Sequence, residues 1–255
     1  MKIATWNVNS LTVRLPHVLD WLASSKVDAL CLQETKQEDS KFPYQVFQEA
    51  GYHAAHNGQK TYNGVAIISP HPLESVSTNI AGYDDEQRRV ISASVKGVRL
   101  VCAYIPNGQA VGSDKYQYKL QWLQAFTGWL KQQLQQYPQL ALLGDYNIAP
   151  QDIDCHDPQA WQGQVLVSEA ERTAFQQLLS LGLHDSFRLF NQDSGQYSWW
   201  DYRMAAFRRN LGMRIDHILV SDALKPQCQQ SYIDKSPRKL ERPSDHTPVV
   251  LELAD

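Results

Sequence analysis

Short apolar and β-branched runs recur along the chain, each bounded by Gly, Pro, Asn or Asp. Residues 3–8, 28–33, 64–69, 90–95, 98–105, 140–144, 213–220 and 248–253 read as strands. Lys96-Gly97 separates two of them and predicts a hairpin. Helical periodicity is clearest over residues 115–136, where Tyr116, Leu120, Leu123, Phe126, Leu130 and Leu134 recur at three- and four-residue steps. Pro138 then ends the pattern. Residues 15–24 and 168–181 are shorter helix candidates, the second opened by a capping box of Ser168 and Glu171. Strands outnumber helices and do not alternate strictly with them. The pattern therefore predicts a mixed or antiparallel α/β architecture with helices covering the sheets, not a doubly wound parallel sheet. With no Ser/Gly/Pro-rich linker, residues 1–255 are expected to form one domain.

A chain of 255 residues, 43% of them hydrophobic, can bury a sizeable core without disulfide or metal staples. That composition, with 20% charged residues and a formal charge of −3, argues against a disordered chain and a wholly basic nucleic-acid binder. It leaves room for a local basic face: residues 201–242 carry +4, against −7 for the remainder. The four cysteines are scattered and make no CxxC, so neither a zinc knuckle nor a disulfide framework is expected. The opening MKIATWNVNS lacks the apolar run of a signal peptide, and no stretch suits a membrane span. A cytoplasmic protein with no membrane contact is expected.

The candidate chemistry lies where strands end. Asn7 closes the first strand, Glu34 follows the second, and Asp145 and Asn147 follow LALLG in GDYN. Asp216 lies inside RIDHIL, and Asp245 and His246 precede the last strand in PSDH. Singly, each suits a turn or a cap. Asp216 is the exception, because a carboxylate between Ile215 and Ile218 needs a partner if it is buried. Together the set is coherent. Carboxylates and amide oxygens are hard ligands suited to Mg²⁺ or Mn²⁺. A His beside an Asp can face a phosphoryl oxygen, and an Asp with a nearby Asn can activate and orient water. These are the parts of metal-assisted phosphodiester hydrolysis.

The segments WNVNSL, LQETK, YNGVAI, YIPNG, GDYNIAP, SWWDYR, LGMRIDHIL and PSDH appear in that order along nearly the whole chain. In these the sequence resembles the exonuclease III / apurinic-apyrimidinic (AP) endonuclease family of the endonuclease/exonuclease/phosphatase superfamily. The resemblance implies a four-layer α/β sandwich, DNase I-like: two packed mixed sheets, helices outside, and the site at one edge. It implies Glu34 as the principal Mg²⁺ ligand, with Mn²⁺ a possible substitute. Asn7 and Asp245 would stand on the metal side, and Asp145 and Asn147 would adjoin it. Asp145 would be the general base, Asn147 would orient water, and His246 would donate to the phosphate with Asp216 fixing its ring. Tyr104 would contact the phosphate, although a buried tyrosine with a bonded hydroxyl is an open alternative.

The expected substrate is double-stranded DNA with abasic sites or 3′ ends, bound by a monomer. Contacts are expected from Arg88, Asn107, Gln109, Arg208 and Arg214. Trp199 and Met213 would line a pocket for a flipped sugar or terminal nucleotide. The loop 161–168, WQGQVLVS, is a plausible gate, in which bulky Leu166 would obstruct a looped-out abasic site and favour ends. Two other readings stay open at this point. One is a phosphohydrolase acting on non-DNA phosphoesters, which would not predict WNVNS, LQETK or SWWDYR. The other is a catalytically dead scaffold, which would predict erosion of the acidic set.

Overall fold

The computed structural model describes residues 1–254. In chain order its elements are β1 (Lys2–Asn7), α1 (Leu11–Ser25), β2 (Ala29–Gln33), α2 (Tyr44–Glu49), β3 (His53–Asn57), β4 (Val65–Ser69), β5 (Glu74–Thr78) and β6 (Val90–Val95). There follow β7 (Val98–Tyr104), α3 (Asp114–Gln136), β8 (Leu140–Asp145), α4 (Pro158–Trp161), α5 (Glu169–Leu179) and β9 (Leu183–Asp185). The last are β10 (Trp199–Trp200), β11 (Gly212–Met213), β12 (Asp216–Ser221), β13 (Cys228–Ile233) and β14 (Val249–Leu253). Among the described residues, no helix is long and apolar enough to cross a membrane.

Two six-stranded mixed sheets form the frame, in the orders β13-β14-β1-β2-β4-β3 and β5-β6-β7-β8-β12-β9. Their inner faces meet in one apolar core that includes Ile3, Cys31, Ile67, Ile91, Cys102, Leu143, Ile218 and Leu251. The outer faces are covered by helices. Trp122, Phe126 and Leu130 of α3 and Phe175 of α5 pack on the second sheet. Val18, Trp21 and Leu22 of α1 and Phe47 of α2 pack on the first. The result is the expected four-layer α/β sandwich. Fully covering each such aliphatic or aromatic side chain contributes about 1.5–3 kcal/mol, so the layering follows from alternation on the strands and periodicity on the helices.

The capping box at α5 is present as read: Ser168 and Glu171 satisfy each other's backbone N–H groups. Two expectations need correction. The first helix starts earlier, at Leu11, and carries Pro16 inside it. The run 213–220 is not one strand. It breaks at Arg214 and Ile215, whose N–H groups turn away to Asp154 O at 2.9 Å and Ser198 Oγ at 3.1 Å.

Candidate active site

Strand register assembles the site. β8 lies between β7, which is parallel to it, and β12, which is antiparallel, so Tyr104, Asp145 and Asp216 fall in one row. The glycine of GDYN allows this: a Cβ at Gly144 would stand 1.9 Å from Ala103 O. From the other sheet, Asn7 ends β1 fully buried. Its Nδ2 donates to Glu34 Oε1 and to Asp145 Oδ2, both at 2.9 Å. Its Oδ1 is occupied by Asn9 N at 2.9 Å. Asn7 therefore holds two carboxylates in place, and its amide oxygen keeps one lone pair beyond the bond from Asn9.

His246 closes the site. Its Nδ1 donates to Asp216 Oδ2 at 2.8 Å, and its Nε2 faces Asp145 Oδ2 at 3.7 Å. Ligand atoms of Glu34, Asp145 and His246 all lie within 4.8 Å of one another. Two hard carboxylates converging on one point, with an imidazole nitrogen beside them, fit a divalent cation. Asp245 stands apart from this trio. Its oxygens accept from Asn9 Nδ2 at 3.0 Å and Trp199 Nε1 at 3.1 Å.

The electrostatics divide the roles. Burial raises the Asp145 carboxyl to about 7, with Asp216 adding to the rise while the His246 imidazolium and the Asn7 amide oppose it. Burial disfavours the His246 cation, yet Asp216 and Asp145 outweigh it and push the ring up to about 10. The pair thus keeps its proton on the imidazole, and Asp145 is poised to accept one near neutrality. Burial, and then the Glu34 and Asp145 charges, raise the Tyr104 hydroxyl, so it remains a donor. Arg89 lies 4.8 Å from the Tyr104 ring centre and donates to Tyr104 O at 3.0 Å, which fixes that tyrosine.

Asn147 takes a left-handed turn (φ +50°) and donates its N–H to Asp145 Oδ1 at 2.9 Å. Its side-chain amide donates to Ile105 O at 3.0 Å and accepts from Asn107 Nδ2 at 2.9 Å. Asn107, Gln109 and Arg208 are exposed, and Arg88 is half-buried. Trp199 is half-buried while Trp200 belongs to the interior. A cleft of about 1050 Å³, lined by His156, Gln162, Val167 and Arg172 among others, contains none of the reacting groups.

Two expected DNA contacts are displaced. Arg214 is 1% exposed. Its guanidinium is bound to Asp154 at 2.7 Å and to Asp185 at 2.7 and 3.1 Å. It is an internal cation with no surface to offer a phosphate. Met213 is wholly buried in an apolar cluster with Cys155, Leu166 and Ile215, against which Trp199 packs. It is not an open pocket wall. The sequence reading also missed Asn9, which ties Asp245 to Lys36, and the buried pair Lys119–Glu171. Lys119 carried a signal: it falls on the apolar face of α3, three residues after Tyr116 and four before Leu123.

Two packed sheets with a carboxylate–imidazole cluster at their strand ends define a hydrolase built for an anionic ester. Residues 4–246 match the endonuclease/exonuclease/phosphatase family. The chain is 36% identical to an exodeoxyribonuclease of Bacillus subtilis over 98% of both chains. It superposes on a 3′ phosphatase from Neisseria, solved with a product DNA hairpin, with TM-score 0.99, 48% identity and full coverage of both chains. An AP endonuclease from Archaeoglobus fulgidus matches with TM-score 0.96 and 39% identity over 99% of each chain. The chain belongs to the endonuclease/exonuclease/phosphatase family, and within it is an enzyme of the exonuclease III / AP endonuclease group.

Proposed function

We propose that this chain is a DNA repair phosphodiesterase that requires Mg²⁺, with Mn²⁺ as a substitute, and acts foremost on the 3′ ends of duplex DNA. The observation that carries the reading is the 3.7 Å approach of His246 Nε2 to Asp145 Oδ2, with Asp216 behind the ring. A base and a charged donor face one small space, where a phosphodiester and a water can meet.

Glu34 and Asp145 would hold the cation, which when bound neutralises phosphate charge and acidifies water. Asp145, ionised, accepts the proton of the attacking water. His246 donates from Nε2 to a phosphoryl oxygen as negative charge grows there. Asp216 keeps the ring charged and oriented through Nδ1. Asn147 orients the water, and the Tyr104 hydroxyl donates to the phosphate. Asn107, Gln109, Arg88 and Arg208 contact the DNA backbone, so binding reads shape more than base sequence.

Ends are favoured over internal abasic sites because of Leu166. It is a non-glycine residue at φ +78°, buried and packed in the cluster of Met213 and Trp199. We take that packed cluster to occupy the room a looped-out sugar would need. The Neisseria relative's description as a 3′ phosphatase is consistent with this. The four free thiols suit the reducing cytoplasm as the place of work.

The test is a labelled duplex carrying one internal abasic-site analogue and one recessed 3′ end, incubated with Mg²⁺ or EDTA. Trimming at the 3′ end that EDTA abolishes supports the reading. Incision at the abasic site alone would refute the preference for ends, and no Mg²⁺-dependent cleavage would refute the nuclease. Leu166→Gly, which suits the left-handed backbone and removes the side chain from that cluster, is expected to raise incision relative to trimming. An unchanged ratio contradicts the role given to Leu166.

A further inference from the structure

Lys119 is a fully buried cation in the second turn of α3. Its ammonium has three protons, and each has an acceptor. One goes to Asn107 O at 3.1 Å, one to Asn147 O at 2.7 Å, and one to the carboxylate of Glu171. Glu171 is itself wholly buried and accepts further bonds on both oxygens. Oε1 takes Leu166 N at 3.0 Å; Oε2 takes Ser168 N at 3.2 Å and Ser168 Oγ at 2.6 Å.

A capping box needs only Ser168 and Glu171, and it works at a solvated helix end. A buried ammonium costs several kcal/mol of desolvation, and replacing such a pair by neutral groups is often harmless to stability. Helix capping therefore does not account for Lys119. What it touches does. Asn147 and Asn107 are bonded to each other through their side chains, and each lies in or beside a left-handed turn. Leu166, on the far side of Glu171, is left-handed as well. The approach is close: a Cβ at Gly108 would lie 3.1 Å from Lys119 Cδ.

We propose that Lys119 is a positioning residue: with Glu171 it fixes the main chain of Asn107 and Asn147 and links those turns to the Leu166 segment. The proposal rests on the hydrolytic role given to Asn147 above. It differs from a merely structural role in acting through Asn147.

The test compares Lys119→Met/Glu171→Gln with the wild type, each with and without Asn147→Ala. The double variant is expected to lose about 10- to 100-fold in kcat for 3′-end hydrolysis at nearly unchanged KM. It should lose little more when Asn147→Ala is present, since both changes remove one effect. Wild-type kcat, or a loss that simply multiplies with Asn147→Ala, overturns the proposal. Should the double variant not fold, Glu171→Gln alone is read the same way. A fall in kcat at constant KM supports the proposal, and wild-type kcat overturns it.

Hydrogen exchange reads the link without substrate. Segments 105–109, 146–149 and 164–168 should lose protection together in the variant, and unchanged protection overturns the link. If they loosen together while the wild-type protein cleaves no DNA, the nuclease reading fails and the link stands.

Discussion

Two buried imidazoles flank Asp216, and their surroundings treat them in opposite ways. His246 is 4% exposed and His217 not at all. Burial disfavours the cation in both. His246 nevertheless rises to about 10, because Asp216 and Asp145 face its two nitrogens. His217 falls to about 4, because burial is reinforced by the Arg214 guanidinium. Its Nδ1 accepts from Arg214 Nη1 at 3.0 Å, and its Nε2 donates to Ile148 O at 2.9 Å. A second proton on that ring would point at a fixed positive charge. Burial makes the interior sensitive, and the neighbouring charge decides the sign. One ring is the reactive cation; the other is a neutral strut under the residue that follows Asn147.

The largest expected effect separates the two rings by activity. His246→Asn should lower kcat by about 10²- to 10⁴-fold, as loss of a positioned acid does. His217→Gln, which keeps a donor for Ile148 O, should cost far less. Steady-state kinetics on a recessed 3′ end check both, and equal losses would end the contrast.

Removing the charge beside His217 comes next. Arg214→Met strands the Asp185 carboxylate inside the protein and leaves Asp154 with Arg188 alone, and breaking such a buried pair costs about 3–5 kcal/mol. Urea unfolding near pH 8 measures it. A loss near zero would mean that the arginine is dispensable where it lies.

The pH dependence of stability is smaller, and its sign differs for the two rings. The folded value of His217 lies below the ordinary 6.5, so its contribution is present above pH 6.5 and is lost as pH falls towards 4. That is on the order of 3 kcal/mol. Asp145, raised towards 7, pulls the other way over much of that window. The clean reading is therefore the difference between wild type and His217→Gln, whose acid-side loss should be shallower. His246 is raised, so its contribution is present below pH 6.5 and is lost as pH rises towards 10.

The smallest effect concerns pH and rate. Asp216→Asn removes the principal charge that holds the His246 proton, so the ring should release it at lower pH. The alkaline limb of kcat against pH should move down by about one unit or more. A limb that stays in place would assign the proton to another group.

The interior of this fold was legible in the sequence and its margins were not. The predicted strands correspond to interior positions of the two sheets, where both faces are covered and the residues read as continuous apolar runs. The strands missed at the margins, β3, β5, β9 and β13, are the four sheet edges. β5, ESVST, is exposed throughout, and β13 begins CQQ, so neither carries an apolar signal.

The site divides in the same way. Glu34, Asp145, Asp216 and His246 were readable because polar residues interrupt apolar strands where the strands end. Arg214 was misplaced because a count of charges along a segment cannot tell a surface cation from one paired with Asp154 and Asp185 far away in sequence. The bridging role of Asn7 and the link through Lys119 depend on contacts between distant segments, and no local pattern announces them.

The most direct test of the opposed rings is the ¹⁵N and ¹H NMR of the histidine side chains in the metal-free protein, from pH 5 to 9. His246 is predicted to show both ring nitrogens protonated at pH 7.5, and His217 to stay a neutral Nε2–H tautomer down to pH 5. A neutral His246 at pH 7.5, or a His217 that titrates near 6.5, would contradict the account.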